Sequence, residues 1–100
     1  MARNENTNTT GGAWTDQEKN DVWKKGKVIT GYSSDTWRTD KCGKTMKWDD
    51  HGDRDSNYGW EIDHIDPVSN DGSDDIINLQ PLHWENNLNK GNQTDWSCPS

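Results

Sequence analysis

The sequence predicts one small α+β domain. Three observations carry that prediction. A strand-like run over 60–65 is followed by a polar loop, a second short apolar run over 78–82 and a helical pattern over 83–90. Thr15 and Glu18 stand at capping-box spacing ahead of an earlier helix. Two short β-prone runs, 37–42 and 45–48, flank Gly43-Lys44 as the arms of a hairpin would.

In chain order, residues 1–13 are rich in Asn, Thr and Gly without periodicity, and read as a flexible N-terminal arm. A helix over 16–25 follows, with Val22 and Trp23 as its buried residues and Gly26 just past its end. Residues 28–32 read as a strand or extended segment, and Ser33-Ser34-Asp35 as a turn. After the hairpin, 49–57 form a polar loop whose one cation, Arg54, reads as a solvated charge. The run 60–65 is the clearest strand, stopped by Pro67. Turn formers fill 69–73, the second strand spans 78–82, and the last helix is closed by Gly91. On that helix His83, Asn87 and Lys90 share one face, while Trp84 and Leu88 share another that would anchor it to the sheet. The domain is expected over 14–92, with 93–100 as a tail.

Only 26% of the 100 residues are hydrophobic, Phe is absent, and seven Trp carry much of the apolar area. So short a chain leans on large aromatic anchors, a metal or a partner. No apolar run approaches the ~20 residues needed to cross a bilayer. The opening residues lack the apolar core of a secretory signal, so the expectation is a cytoplasmic protein with no membrane partner. Cys42 and Cys98 could be joined, but two free thiols in a reducing compartment are the expectation.

The net charge of −7 is unevenly spread. Residues 19–47 hold eight Lys/Arg against three acids, whereas 48–100 hold two against twelve. A basic half could hold phosphates while clustered carboxylates attract a divalent cation. Most of Asp49, Asp50, Asp53, Asp55, Asp71, Asp74 and Asp75 are expected simply to solvate the surface.

Strand, loop, strand and helix carry the series Asp63-His64, Asn78, Asn87 and Lys90 at fixed spacings. This series resembles the HNH endonuclease motif, in the variant whose last motif position is Asn rather than His. The resemblance covers about 41–91 and is densest over 60–90. It implies a small ββα-metal, treble-clef-like core, with the N-terminal helix and hairpin as an extension. It also implies hydrolysis of DNA phosphodiesters. His64 would be the general base, suited by an unperturbed pKa of ~6.5. Asp63 and Asn87 would hold one divalent cation, Mg²⁺ by preference with Mn²⁺ tolerated. Asn78 would brace the polar loop, and Lys90 would contact a phosphate. Asp63 and His64, adjacent on a strand, serve one site only if the strand bends or ends there.

Taken singly, each of these residues has a bland reading: a surface His–Asp pair, a turn Asn, a solvated helix Asn. The joint spacing favours the nuclease. The family's structural zinc uses two C-x-x-C pairs, which would fall at 42–45 and 83–86; only Cys42 and His83 remain as donors, so no structural zinc is expected. Trp48, Trp60 and Trp84 would supply packing instead. His51 is expected in solvent, Glu61 in a structural role, and Asp66 at most near the metal through water.

DNA is the expected partner, held through backbone phosphates by Lys24, Lys25, Lys27, Arg38, Lys41, Lys44 and Lys47, with binding that weakens steeply with salt. If the enzyme is a toxin, an inhibitor or immunity protein is implied as well. The competing reading is a non-catalytic nucleic-acid or protein interaction module that retains the fold. A zinc-binding structural domain using His51, His64, His83 and Cys42 is the third.

Overall fold

A computed structural model describes residues 6–99. Its elements are helix α1 (Asp16–Trp23), strands β1 (Lys27–Val28), β2 (Trp37–Thr39), β3 (Thr45–Lys47), β4 (Trp60–His64) and β5 (Leu79–His83), and helix α2 (Trp84–Lys90). Strands β1, β2 and β3 form one antiparallel sheet in that order, and β4 pairs antiparallel with β5 in a second. This is an α+β arrangement with a ββα unit at its C-terminal half.

Helix α1 starts where the capping box predicts: Thr15 Oγ1 accepts from Glu18 N, and Glu18 Oε1 accepts from Thr15 N. It ends two residues short of the sequence expectation. The run after it is a strand only over Lys27–Val28, both exposed. Helix α2 begins at Trp84 because His83 serves as its N-cap, its Nδ1 accepting from Glu85 N. His83 therefore does not share a helical face with Asn87 and Lys90. Leu88, expected to anchor that helix, is 57% exposed; Trp84 holds it instead, donating Nε1–H to the Ser56 carbonyl.

The core lies between α1, β3 and the β4–β5 pair. Trp14, Val22, Trp23, Met46, Trp60, Ile62 and Leu79 form it, with Trp48 packed alongside. The Trp23, Trp48 and Trp60 rings contact one another with centroids 5.0–5.7 Å apart. Two indole N–H groups reach carbonyls, Trp23 to Ser34 and Trp60 to Trp48. Aromatic anchors thus supply the bulk that a chain without Phe lacks.

The flanks are tied to this body. Residues 1–5 of the expected arm lie outside the described residues, but Asn6 accepts from Ile62 N at 2.7 Å and reaches the His51 ring. Thr9 bonds Asp74 through both backbone and side chain. The two cysteines, expected as free thiols, form a disulfide instead: Cys98 is joined to Cys42 across 56 positions. The fold brings the tail back past the β2–β3 turn, where Lys41 lies over the Trp96 ring and Trp96 donates to Asn89. No helix among the described residues is long and apolar enough to cross a membrane.

His51, expected in solvent, is half-buried with its ring 4.7 Å from that of Trp60. Burial lowers its pKa from 6.5 to about 4, the Lys19 charge adds to the drop, and Glu61 opposes it. Between those values the unfolded chain takes up a proton that the folded imidazole refuses, so stability falls as pH is lowered through that window. The shift corresponds to about 3 kcal/mol, reduced to on the order of 2 kcal/mol because the ring keeps part of its solvent contact. Denaturant unfolding across this pH window should show the loss in the wild type and a smaller one in His51→Gln. The disulfide closes a loop long enough that reduction should cost about 4 kcal/mol by the chain-entropy relation. Thermal unfolding with and without a reductant measures it, and a Cys98→Ser variant should show no change on reduction.

Candidate active site

Strand β4 is buried along its whole length, although three of its five residues are ionisable. Alternation sorts them. Trp60, Ile62 and His64 face the aromatic core, while Glu61 and Asp63 face α2. Each buried charge on the α2 side has partners. Arg54 grips Glu61 with two bonds of 2.8 Å, so it is not a solvated charge. Glu61 Oε1 also accepts from Asn87 Nδ2 at 2.8 Å, which turns the other end of that amide, Oδ1, away from Glu61 and leaves it able to ligate. Glu61 shares the face of Asp63, two residues on, and the strand period alone could have revealed this.

Asp63 is 6% exposed. Its Oδ1 lies 3.2 Å from Lys90 Nζ, and its Oδ2 accepts from Gln80 Nε2 at 2.8 Å. Burial pushes its pKa up, opposed first by the Gln80 bond and then by Lys90. Lys90 is itself 2% exposed and donates to the His64 carbonyl at 3.0 Å. The lysine expected to touch a phosphate is thus engaged inside the β4–α2 interface. Asn87 meets Glu61, and Asp63 meets Lys90, across that same interface.

His64 is the last residue of β4, and its ring lies on the other side of the strand from Asp63. It is 3% exposed, with the Trp14 ring centroid 5.5 Å away. Its Nε2 is 2.8 Å from Asp74 Oδ1. Asp74 is therefore no mere surface acid. Burial acts to raise its pKa, but the bonds from His64 and Thr9 outweigh this and hold the carboxyl below the usual range. His64 still lies close enough to Asp63 for its charge to favour that carboxylate. Above it, Trp14 Nε1 is buried with no hydrogen-bond partner among the described residues. No sequence signal singled out Asp74, ten residues downstream in a loop of similar acids.

The loop after β4 is held by Asn78. Its Oδ1 accepts from Asp66 N, and its Nδ2 donates to the carbonyls of Asp66 and Ser73. The Ile65 N–H bond to the Asn78 carbonyl fixes the segment directly after His64. Gly72 is required here, because a Cβ would sit 1.7 Å from the Asp66 carbonyl oxygen. Asp66 contributes backbone bonds to this brace.

The seven basic residues expected on DNA divide. Arg38 donates to the carbonyls of Ser34, Lys24 and Gly26, and Lys25 to those of Ile76 and Leu79, so both tie α1 to its surroundings. Lys24, Lys27 and Lys41 are exposed. Lys44 pairs loosely with Glu85 at 3.7 Å, and Lys47 lies over Trp37.

The two donors left for a structural zinc are committed elsewhere. Cys42 Sγ is in the disulfide, and both ring nitrogens of His83 are engaged, Nδ1 by Glu85 N and Nε2 by the Asn57 carbonyl. Between the β2–β3 turn and the start of α2 lies the fully buried Asp40 carboxylate. It accepts from Cys42 N, Lys44 N, His83 N and Asn86 Nδ2 at 2.8–3.0 Å.

The donor atoms on the α2 face are of the kind that a hard divalent cation takes. Asp63 and Asn87 offer oxygen, and the Lys90 ammonium between Asp63 and the His64 carbonyl shows that a positive charge is accommodated there. Groups of three or more His, Cys, Asp or Glu placed to hold a metal do not occur among the described residues.

In the comparisons with known proteins, the family profile for HNH endonucleases matches residues 40–93. Neither the curated proteins nor the solved structures contain a match. The profile spans more than half of the chain and includes β3, the β4–β5 pair and α2 with every motif residue named above. The chain belongs to the HNH endonuclease family.

Proposed function

We propose that this protein is a metal-dependent endonuclease of the H-N-N type that hydrolyses DNA phosphodiesters. The observation that carries the reading is the His64–Asp74 pair at the end of β4, adjoining a face where Asp63 and Asn87 present oxygen. His64 takes a proton from the attacking water. Asp74, bonded to Nε2, fixes the ring and favours the imidazolium that results. Asn78 keeps the loop that carries Asp74 in register with the end of β4. Asp63 and Asn87 would hold one divalent ion, Mg²⁺ or Mn²⁺, which would supply charge neutralisation at the phosphate. The exposed lysines 24, 27 and 41, with Lys44 and Lys47, meet backbone phosphates, which implies weak sequence preference.

A second reading, a non-catalytic DNA- or protein-binding module with this fold, draws on the near-complete burial of His64 and of Asp63. As to location, the cytoplasmic expectation rested on the opening residues lacking the apolar core of a secretory signal. The disulfide favours an oxidising surrounding, where such bonds persist. For a toxin acting across cells, an inhibitor protein would guard the producer.

A supercoiled-plasmid nicking assay with Mg²⁺, Mn²⁺ or chelator separates the readings. Ion-dependent nicking is expected, with His64→Ala lowering the rate by about a hundredfold or more. Cleavage unaffected by His64→Ala, or binding without cleavage in either ion, favours the module. Asp74→Asn should lower the rate by at least about tenfold while leaving DNA affinity unchanged, because it alters the base and not the phosphate contacts.

A further inference from the structure

We propose that Lys90 is a built-in competitor of the divalent ion: its ammonium and the ion contend for the Asp63 carboxylate, and binding of the ion drives the Lys90 side chain out of the β4–α2 interface. The inference rests on the metal reading given above, and three observations carry it further.

First, the ammonium stands at the candidate ligand itself. Lys90 Nζ is 3.2 Å from Asp63 Oδ1 and 3.0 Å from the His64 carbonyl oxygen. Lysine is seldom buried unless paired, and here a residue 2% exposed has just such a pair. Second, Gln80 already donates to the other oxygen, Oδ2, so Oδ1, where Lys90 sits, is the oxygen for which an ion and Lys90 would contend. Two cations at one oxygen of a buried group repel strongly. Third, Lys90 can leave. It is the last residue of α2, and Gly91 follows with a φ of +54°, so its long stem sits at a helix end and not mid-helix. Asn87, one turn back, stays where Glu61 holds it.

The exchange raises the positive charge at Asp63 from one unit to two and sends an ammonium toward the site's exterior, where a phosphate would approach. Ion affinity of the free protein is then weak by design, and a bound phosphate, by receiving Lys90, strengthens it. A fixed brace at Lys90 would do none of this.

The test uses Mn²⁺ on the full chain, with bound ion counted by electron spin resonance. Lysine acetylation, read by mass spectrometry, is followed in parallel. In the wild type, Lys90 should be protected without Mn²⁺ and acetylated severalfold faster with it, while exposed Lys24 and Lys27 label equally in both. Lys90→Met, which keeps the stem and removes the charge, should bind Mn²⁺ about tenfold or more tightly than the wild type, and adding Asp63→Asn should abolish that gain. Mn²⁺ bound to the wild type with Lys90 still protected overturns the competition and leaves the metal reading standing. Failure of both wild type and Lys90→Met to bind overturns the metal reading, and the competition with it. Binding by the variant alone supports both. If Lys90→Met does not fold, the wild-type labelling and ion count decide by themselves.

Discussion

The fold depends on the Asp40 carboxylate more than on any other single group. Asp40 is completely buried and accepts from four N–H donors supplied by two distant parts of the chain. Cys42 and Lys44 belong to the β2–β3 turn; His83 and Asn86 belong to the junction of β5 and α2. The N–H groups of a tight turn and of a helix start are the ones secondary structure leaves unpaired. A buried anion satisfies both sets at once, and hydrogen bonds to a charged group contribute about 1.5–3 kcal/mol each. The two sheets meet through this group, and the pose of α2 over β4 follows from it.

Given that pose, the polar face of β4 finds its counterparts. Glu61 is neutralised by Arg54 from the loop before it and fixes Asn87, and Asp63 is met by Lys90 and Gln80. Burial makes these contacts obligatory: a carboxylate left alone at this depth would shed its charge. On the opposite face His64 has the aromatic cluster behind it and Asp74 at its tip. One strand therefore separates an imidazole from an oxygen-donor face, and the strand ends at His64 itself.

Much of this was legible in the sequence because its signals are short-range. The Thr15–Glu18 box, the Gly43-Lys44 hairpin and the D-H, N, N-x-x-K spacing each depend on residues a few positions apart or on a family pattern. What was illegible depends on long-range meetings. Asp40 finds Asn86, Asp74 finds Thr9 and Cys42 finds Cys98, each across more than forty positions, and Asp74, ten residues from His64, stands among similar acids. The run 28–32 is strand only at Val28, because its ends have little to pack on: Val28 is 63% exposed and Tyr32 equally so. Leu88 misled for the converse reason. Its helix is held by polar anchors, Asn86 to Asp40 and Lys90 to Asp63, so an apolar stripe was not needed.

The covalent link between the tail and the β2–β3 turn carries a topological consequence. Every motif residue from Asp63 to Lys90 lies within the ring that Cys42 and Cys98 close. Pulled by either terminus, the chain can be drawn straight only as far as that ring, and what remains is a doubled strand. Passage through a pore sized for a single extended polypeptide would first require a reductant, so the same bond that steadies the half carrying the motif also decides through which openings the chain can travel.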